Sequence, residues 1–153
     1  MDKILLSPSQ YQKISSKYLD DGKQQDQWRL GDITIDHEGA QTIARMITHY
    51  GSSAATNSFH LSSITAIEMT SQLFIIALHY MLGLKEKQQE VWQIKCVSTN
   101  LRPITNPNSI AIAMKLQYLK RRNNRVYSRQ NFIVSDLNGG LGEIELTGAM
   151  DLN

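Results

Sequence analysis

The pattern of apolar and polar positions predicts one long helix near the middle of the chain. Residues 62–83 are apolar on almost every helical face, and their polar side chains Thr65, Glu68, Gln72 and His79 fall within about 60° of one another. A helix that is apolar nearly all round is typically buried. A buried carboxylate such as Glu68 needs a partner, a proton or a wet cavity, because an unpaired buried charge is costly. The pattern therefore predicts a central helix with a pocket along its polar stripe.

The other apolar positions follow the two-residue spacing of strands. Strands are predicted over residues 28–35, 91–99, 109–119, 126–134 and 141–150, with residues 42–50 as a further short strand or a helical turn. Short hairpin connections make neighbouring strands antiparallel, and residues 120–125 are one such connection. We therefore expect the four strands after the helix to follow one another in antiparallel succession. A helix that covers such a sheet predicts an α+β protein with the hotdog fold, in which a long central helix is wrapped by an antiparallel five- or six-stranded sheet.

Both ends of the predicted helix carry capping signals. Ser62 or Ser63 can cap the N-terminus, and Thr65-x-x-Glu68 has the form of a capping box. Gly83 can supply the left-handed residue that follows the last turn. We expect one unbroken helix over residues 62–82.

Length and composition favour a single domain. The 153 residues are 41% hydrophobic, which suits one core. We assign residues 27–153 to this domain, and the polar residues 1–26 to an N-terminal segment that packs on or beside it. A net charge of +2 argues against nucleic-acid binding. The lone cysteine Cys96, the absence of a signal-peptide pattern and the polar residues within the helix indicate a cytoplasmic protein without a membrane span.

From about Gly31 onward the chain resembles the FcoT-like type III acyl-CoA thioesterase family, a hotdog group. The similar segments are GDITI at residues 31–35, HLSSI at 60–64 with the later Gln72 and Leu73, and NGG at 138–140 followed by GEIEL at 142–146. The resemblance implies a thioesterase acting on acyl-CoA or acyl carrier protein in fatty acid or polyketide metabolism. By analogy with other hotdog domains, it also implies a homodimer with the thioester at its interface.

The chain departs from that family at positions that matter for the chemistry. Ser62 and Ser71 stand where the family has asparagines, so a hydroxyl replaces an amide as hydrogen-bond donor. The family tyrosine six residues before the histidine falls on Ala54, and Tyr50 can take its place as a substrate-binding residue if the loop is longer.

A second hotdog pattern also fits the helix. Glu68-x-x-x-Gln72 is similar to the acid and amide pair of 3-hydroxyacyl carrier-protein dehydratases. The histidine of those enzymes lies about fourteen residues before the acid, whereas His60 lies eight residues before Glu68. Three functions therefore stay open: a thioesterase, a dehydratase-like enzyme, and a non-catalytic acyl-binding subunit.

The candidate catalytic residues are Glu68, His60, Ser62, Ser71 and Gln72. Glu68 would be a general base in a largely dry pocket, and its alternative role is a helix cap. Gln72 would position water or the thioester, while His60 and Ser62 would help the helix N-terminus polarise the carbonyl. His79 is expected to be structural.

A basic cluster and several absent motifs complete the sequence-based expectations. Lys120, Arg121 and Arg122 would bind the phosphates of coenzyme A or an acidic carrier protein, unless they form a solvated hairpin tip. The sequence contains no serine-nucleophile elbow and no metal- or nucleotide-binding motif, so we expect neither a metal nor a cofactor.

Overall fold

The computed structural model describes residues 26–49, 59–84, 86–87 and 89–152. Within them lie six strands and one helix, in the order β1 (Gln27–Ile35), β2 (Gly39–Thr48), α1 (Ser63–Met81), β3 (Trp92–Arg102), β4 (Ile110–Arg122), β5 (Arg125–Asp136) and β6 (Leu141–Asp151). The six strands form one antiparallel sheet against which α1 packs. This confirms the predicted α+β architecture of a long helix on a six-stranded antiparallel sheet.

The order of strands in the sheet differs from the predicted succession. The order is β1-β2-β4-β5-β6-β3, so β3 pairs with β6 and not with β4, its successor in the chain. Residues 103–109, which include Pro103 and Pro107, lead from the β3 edge back to the centre of the sheet. The prediction of consecutive pairing after the helix was wrong because this connection is not a hairpin. As a result, β1 and β3 are the two edges of the sheet.

The structure defines two segments whose form the sequence left open. Residues 42–48 belong to a strand, because Thr42, Ala44 and Met46 alternate inward while β2 pairs with both β1 and β4. The predicted six-residue connection over 120–125 shortens to the two residues Asn123 and Asn124, of which Asn123 takes a positive φ of 54°. Lys120, Arg121 and Arg122 therefore lie in β4 itself.

Side chains at both ends of α1 explain its boundaries. Ser62 is the N-cap, and its Oγ accepts a hydrogen bond of 3.1 Å from the Thr65 amide. The predicted capping box was wrong, because Glu68 lies beyond the first turn. At the other end Gly83 takes a φ of +74°, as predicted, and Leu84 N–H donates to the His79 carbonyl at 2.9 Å, which closes a Schellman motif.

The core lies between α1 and the concave face of the sheet. The fully buried side chains there include Met69, Leu73, Leu78, Ile112, Phe132 and Leu146. Close packing requires Gly148, because a Cβ at that position would lie 2.6 Å from the Phe74 ring. By length and composition α1 could cross a membrane, but half of its most apolar window is buried within the molecule, as in the core helix of a globular domain.

The outer face of α1 remains open. Ile64, Glu68, Gln72 and Tyr80 are exposed. The expectation that the helix is buried all round was therefore wrong for a single chain. Of the predicted polar stripe, Glu68 and Gln72 lie on this surface beside large apolar side chains, whereas Thr65 and His79 are buried.

One carboxylate joins two loops beside the entry to α1. Asp136 accepts hydrogen bonds from the backbone amides of Thr105 and Asn106, at 2.6 and 2.8 Å. Its other oxygen accepts from Asn138 and Gly140, at 3.0 and 2.7 Å. The β5–β6 turn and the connection between β3 and β4 are thus fixed to each other.

Candidate functional site

Glu68 and Gln72 form the centre of the candidate site. They lie one helical turn apart on the same face of α1, and both side chains are exposed. The dry pocket expected around Glu68 is not formed by the described residues of one chain. The pair can hold a water molecule between a carboxylate and an amide, but a second surface must cover it to exclude solvent.

Trp28 fixes the orientation of the Glu68 carboxylate. The indole Nε1 donates a hydrogen bond of 3.3 Å to Oε2 of Glu68, and the ring of Trp28 packs against the core. Sequence reasoning treated Trp28 only as a strand position. The sequence did offer one indication of this contact, because the N–H group of a partly buried indole normally has a hydrogen-bond acceptor.

The helix-facing side of β3 supplies polar groups that the sequence analysis also missed. Asn100 Nδ2 donates a 2.7 Å hydrogen bond to Oγ of Ser63, in the first turn of α1. The Ser71 hydroxyl lies 3.5 Å from Oε1 of Gln93, at the limit of a hydrogen bond. Gln93 and Asn100 lie seven residues apart, and the register shift between Gln93 and Lys95 lets both contact α1 from the same side of β3. Cys96, which lies between them, packs against the core.

His60 lies at the entry to α1 and opens into a different cavity from Glu68. The cavity has a volume of about 130 Å³ and is lined by His60, Asn100 and Arg102, among others. Ser62 caps the helix two residues after His60. Glu68 is six residues beyond Ser62, which corresponds to about 9 Å along the helix axis. A single chain therefore does not bring His60 and Ser62 to the same point as Glu68.

The basic cluster lies at the opposite end of the sheet from His60. Lys120, Arg121 and Arg122 are exposed at the end of β4. Val134 lines the His60 cavity and lies nine residues along β5 from the β4–β5 turn, which is roughly 30 Å of extended strand. Within one chain these cations therefore do not contact a ligand held beside His60.

The neighbouring Arg125 is largely occupied by other contacts. Its Nε donates to Asp151 at 2.6 Å, and its guanidinium lies 4.9 Å from the centre of the Trp92 ring. The hydrogen bond to the Asp151 carboxylate raises the pKa of Arg125 above its ordinary value. The β4 cations have weaker contacts: Lys120 Nζ lies 5.6 Å from the centre of the Tyr118 ring, and Arg121 Nε donates to the Asn123 carbonyl at 3.4 Å.

Tyr50 lies outside the described residues, and so do residues 1–25 of the N-terminal segment. In the part of the chain that the structure describes, no three side chains of His, Cys, Asp or Glu come together as a metal site would require.

Comparisons with known proteins identify the fold. No protein-family model matches this chain, and no curated protein sequence matches it. A thioesterase from Pseudomonas aeruginosa aligns over 81% of each chain, with a TM-score of 0.59 and 14% identity. A hypothetical thioesterase from Streptococcus pneumoniae, solved with coenzyme A, aligns over 83% of this chain and 92% of its own, with a TM-score of 0.57 and 7% identity.

A third solved structure is described by its fold. This hot-dog-like protein from Thermanaerovibrio acidaminovorans aligns over 89% of each chain, with a TM-score of 0.50 and 13% identity. Similarity at such low identity establishes architecture and not activity. The chain has the hotdog fold.

Proposed function

We propose that this protein hydrolyses an acyl thioester carried by coenzyme A or by an acyl carrier protein. The observation that carries the proposal is the exposed Glu68 and Gln72 pair on the central helix of a hotdog fold. Solved structures of this fold include proteins named thioesterases, one of them with coenzyme A bound. We also propose membership of the FcoT-like family, a soluble cytoplasmic location and a role in fatty acid or polyketide metabolism.

The proposed reaction uses Glu68 as a general base. Its carboxylate takes a proton from a water molecule held by Gln72, and the resulting hydroxide adds to the thioester carbonyl carbon. The carbon–sulfur bond then breaks, and the departing thiolate takes the proton back from Glu68. Amide groups at the N-terminus of a helix, together with His60 and Ser62, stabilise the oxyanion. Ser71 helps to place the substrate beside Gln72.

These groups belong to two protomers in our proposal. Ser62 and Glu68 are about 9 Å apart along one helix axis, so one carbonyl cannot contact both in a single chain. A two-fold axis beside α1 would place the helix N-terminus of one protomer near Glu68 of the other. It would also cover Glu68 and exclude water from the site. The homodimer is thus part of the mechanism.

The β3 edge is the surface that we propose for dimerisation. Trp92, Ile94, Val97 and Leu101 on this strand are between 45% and 59% exposed. The strand is eleven residues long and carries only two charged side chains, Lys95 and Arg102. A long, apolar edge that no other described strand pairs with is suited to pairing with a strand of a second chain. Antiparallel pairing of two β3 strands would continue the sheet across the two-fold axis.

Charges introduced on β3 are expected to separate the protomers. The double variant Ile94→Lys/Val97→Lys places four new cations at a two-fold interface, so light scattering should show 17.3 kDa particles. The wild type should show about twice that mass. Leu137→Lys is the matched control, because Leu137 is an exposed apolar residue in the β5–β6 turn. A wild-type monomer at micromolar concentration would contradict the shared site.

The basic cluster fits the carrier end of the substrate. In an antiparallel β3 dimer, the hairpin end of one protomer approaches the helix-entry end of the other. Lys120, Arg121 and Arg122 would then contact the phosphates of coenzyme A or the acidic surface of a carrier protein. Tyr50, which lies between β2 and α1 in the sequence, would contact the substrate as well.

Removing the indole N–H of Trp28 should slow the reaction without weakening substrate binding. Trp28→Phe keeps most of the ring but leaves Glu68 Oε2 without the donor at 3.3 Å. One hydrogen bond that orients the base corresponds to about a tenfold fall in kcat, with KM nearly unchanged. Steady-state kinetics of the wild type and the variant test this. An equal rise in KM would instead indicate a role in binding.

A dehydratase-like reaction is the second candidate, favoured by the one-turn spacing of Glu68 and Gln72. The two enzyme reactions differ in product. Hydrolysis releases a free thiol, whereas dehydration of a 3-hydroxyacyl thioester gives an enoyl thioester with its carrier still attached. Chromatography and intact-mass analysis of the products distinguish them. If acyl thioesters bind but neither product forms, the protein is a non-catalytic acyl-binding subunit.

A further inference from the structure

The face of the sheet that is turned away from α1 carries cations and aromatic rings in alternation near the β4–β5 turn. Along β5, Tyr127 and Arg129 alternate with buried residues, so their side chains lie on this outer face. Cross-strand partners share a face, and Tyr118 pairs with Arg129 just as Lys120 pairs with Tyr127. Arg122 lies two residues beyond Lys120 on the same face of β4. The outer basic patch consists of Tyr118, Lys120, Arg122, Tyr127 and Arg129.

The Tyr118 ring holds two of these cations in place. Cζ of Arg129 lies 5.4 Å and Nζ of Lys120 lies 5.6 Å from the ring centre, within the range of cation–π contacts. Such a contact orders a cation without neutralising its charge. Among the described residues, no carboxylate forms an ion pair with Lys120, Arg122 or Arg129. The outer basic patch therefore presents positive charges that a partner can neutralise.

The number and spacing of these charges favour an acidic protein surface as the partner. Three cations are few for a nucleic acid, because a protein that binds one tightly commonly contacts about six to ten phosphates. A base would also have to displace the cations to stack on Tyr118. Arg129 pairs with Tyr118, four residues from Arg122, so Arg129 and Arg122 are separated by roughly 13 Å along the strands. That span exceeds a single diphosphate group and suits several carboxylates spread over a protein surface.

We propose that the outer basic patch docks the acidic surface of an acyl carrier protein. The inference rests on the proposed function, and it selects the carrier protein over coenzyme A as the carrier of the substrate. In the proposed β3 dimer, the β4–β5 turn of one protomer lies toward the helix-entry end of the other. A carrier protein docked at this turn therefore delivers its thioester beside the helix entry of the second protomer.

Binding of an apo acyl carrier protein tests the docking without any hydrolysis. The apo form lacks the phosphopantetheine arm, so its affinity depends only on the protein surface and is measurable even if the protein is not a thioesterase. Calorimetric titration should show binding that weakens at least about tenfold when sodium chloride is raised from about 50 to about 500 mM. If the wild type does not bind the apo carrier protein at low salt, the proposal is wrong.

Three variants locate the docking surface. Lys120→Gln and Arg129→Gln should each weaken binding of the apo carrier protein about tenfold, because each removes a charge that faces a partner carboxylate. Tyr118→Leu keeps both charges but removes the ring that orders them, and should weaken binding about threefold. Arg45→Gln is the matched control, because Arg45 is an exposed cation of β2 at the other end of the same face.

The exposed position of Lys120 keeps the test valid even if the half-buried Arg129 is needed for folding, which thermal unfolding would show. Equal losses of affinity in Lys120→Gln, Arg129→Gln and Arg45→Gln would contradict a local docking site. Free coenzyme A and a short oligothymidylate should not displace the apo carrier protein. Displacement by coenzyme A would make the patch a coenzyme A site, and displacement by the oligonucleotide would make it a nucleic-acid site; either result overturns the proposal.

Discussion

Replacing Glu68 with Gln should lower the rate of thioester hydrolysis by a factor of about 10²–10⁴, because the proposed general base is lost. The change is nearly isosteric, and the new amide oxygen can still accept the hydrogen bond from Trp28 Nε1. Glu68 lies beyond the first turn of α1, where Ser62 provides the cap. The free energy of unfolding should therefore change by no more than about 0.5 kcal/mol.

The control for this variant is Glu143→Gln, which removes an exposed carboxylate from the outer face of β6. Thiol-release kinetics and thermal unfolding should be measured for the wild type and both variants. Substrate binding by each protein should be measured with a hydrolysis-resistant acyl thioether. Near-normal turnover in Glu68→Gln would exclude this carboxylate as the base. Lost turnover together with lost folding would give Glu68 a structural role instead.

The largest effect on stability is expected at Asp136. Asp136→Ala leaves four backbone amides without their acceptor and should lower the free energy of unfolding by about 2–4 kcal/mol. The same change frees the connection whose Ile104 carbonyl accepts the Leu61 N–H at 2.9 Å. His60, the neighbour of Leu61, should then lose its place at the entry to α1, and turnover should fall as well.

Acid should weaken the hydrogen bonds between Asp136 and the four backbone amides in the wild-type protein. Burial disfavours the charged form of Asp136, but its amide hydrogen bonds outweigh burial and hold its pKa below the ordinary value of 3.8. Because the folded pKa is the lower one, this contribution is fully present above the unfolded pKa and is lost as the pH falls through the folded pKa.

Urea unfolding from neutral pH to about pH 2 tests both statements about Asp136. Asp136→Asn keeps one acceptor oxygen but has no charge to lose, so its stability should fall less steeply below pH 4 than that of the wild type. Glu143→Ala serves as the control for removing an exposed carboxylate. If the free energy of unfolding falls equally with pH in the wild type and Asp136→Asn, the stability of these hydrogen bonds does not depend on ionisation of Asp136.

The helix and most strands could be predicted because their signals are local. The apolar run of α1, the capping residue Ser62 and the left-handed Gly83 all act within a few residues, and the structure begins and ends the helix where they indicate. The alternation in β4 depends likewise on neighbouring residues. The pairing of β3 with β6 joins residues far apart in the chain, such as Val97 and Glu145, and no local pattern specifies it.

The candidate site was less predictable because its groups come from distant elements. The spacing of Glu68 and Gln72 is visible in the helix, but the approach of Trp28 from β1 and of Asn100 from β3 depends on the tertiary fold. Burial was misjudged for the same reason. The apolar side chains on the outer face of α1 predict that this face is buried. In our proposal a second protomer buries it, and the sequence pattern does not tell burial within a chain from burial between chains.

Thiol release from a panel of acyl-CoA and acyl-carrier-protein substrates tests the central claim most directly. The wild-type dimer should release free thiol and an equal amount of carboxylic acid from at least one acyl thioester, and Glu68→Gln should release neither above background. If the folded dimer releases no thiol from any member of a panel that spans short, medium, long and hydroxylated chains, the protein is not a thioesterase.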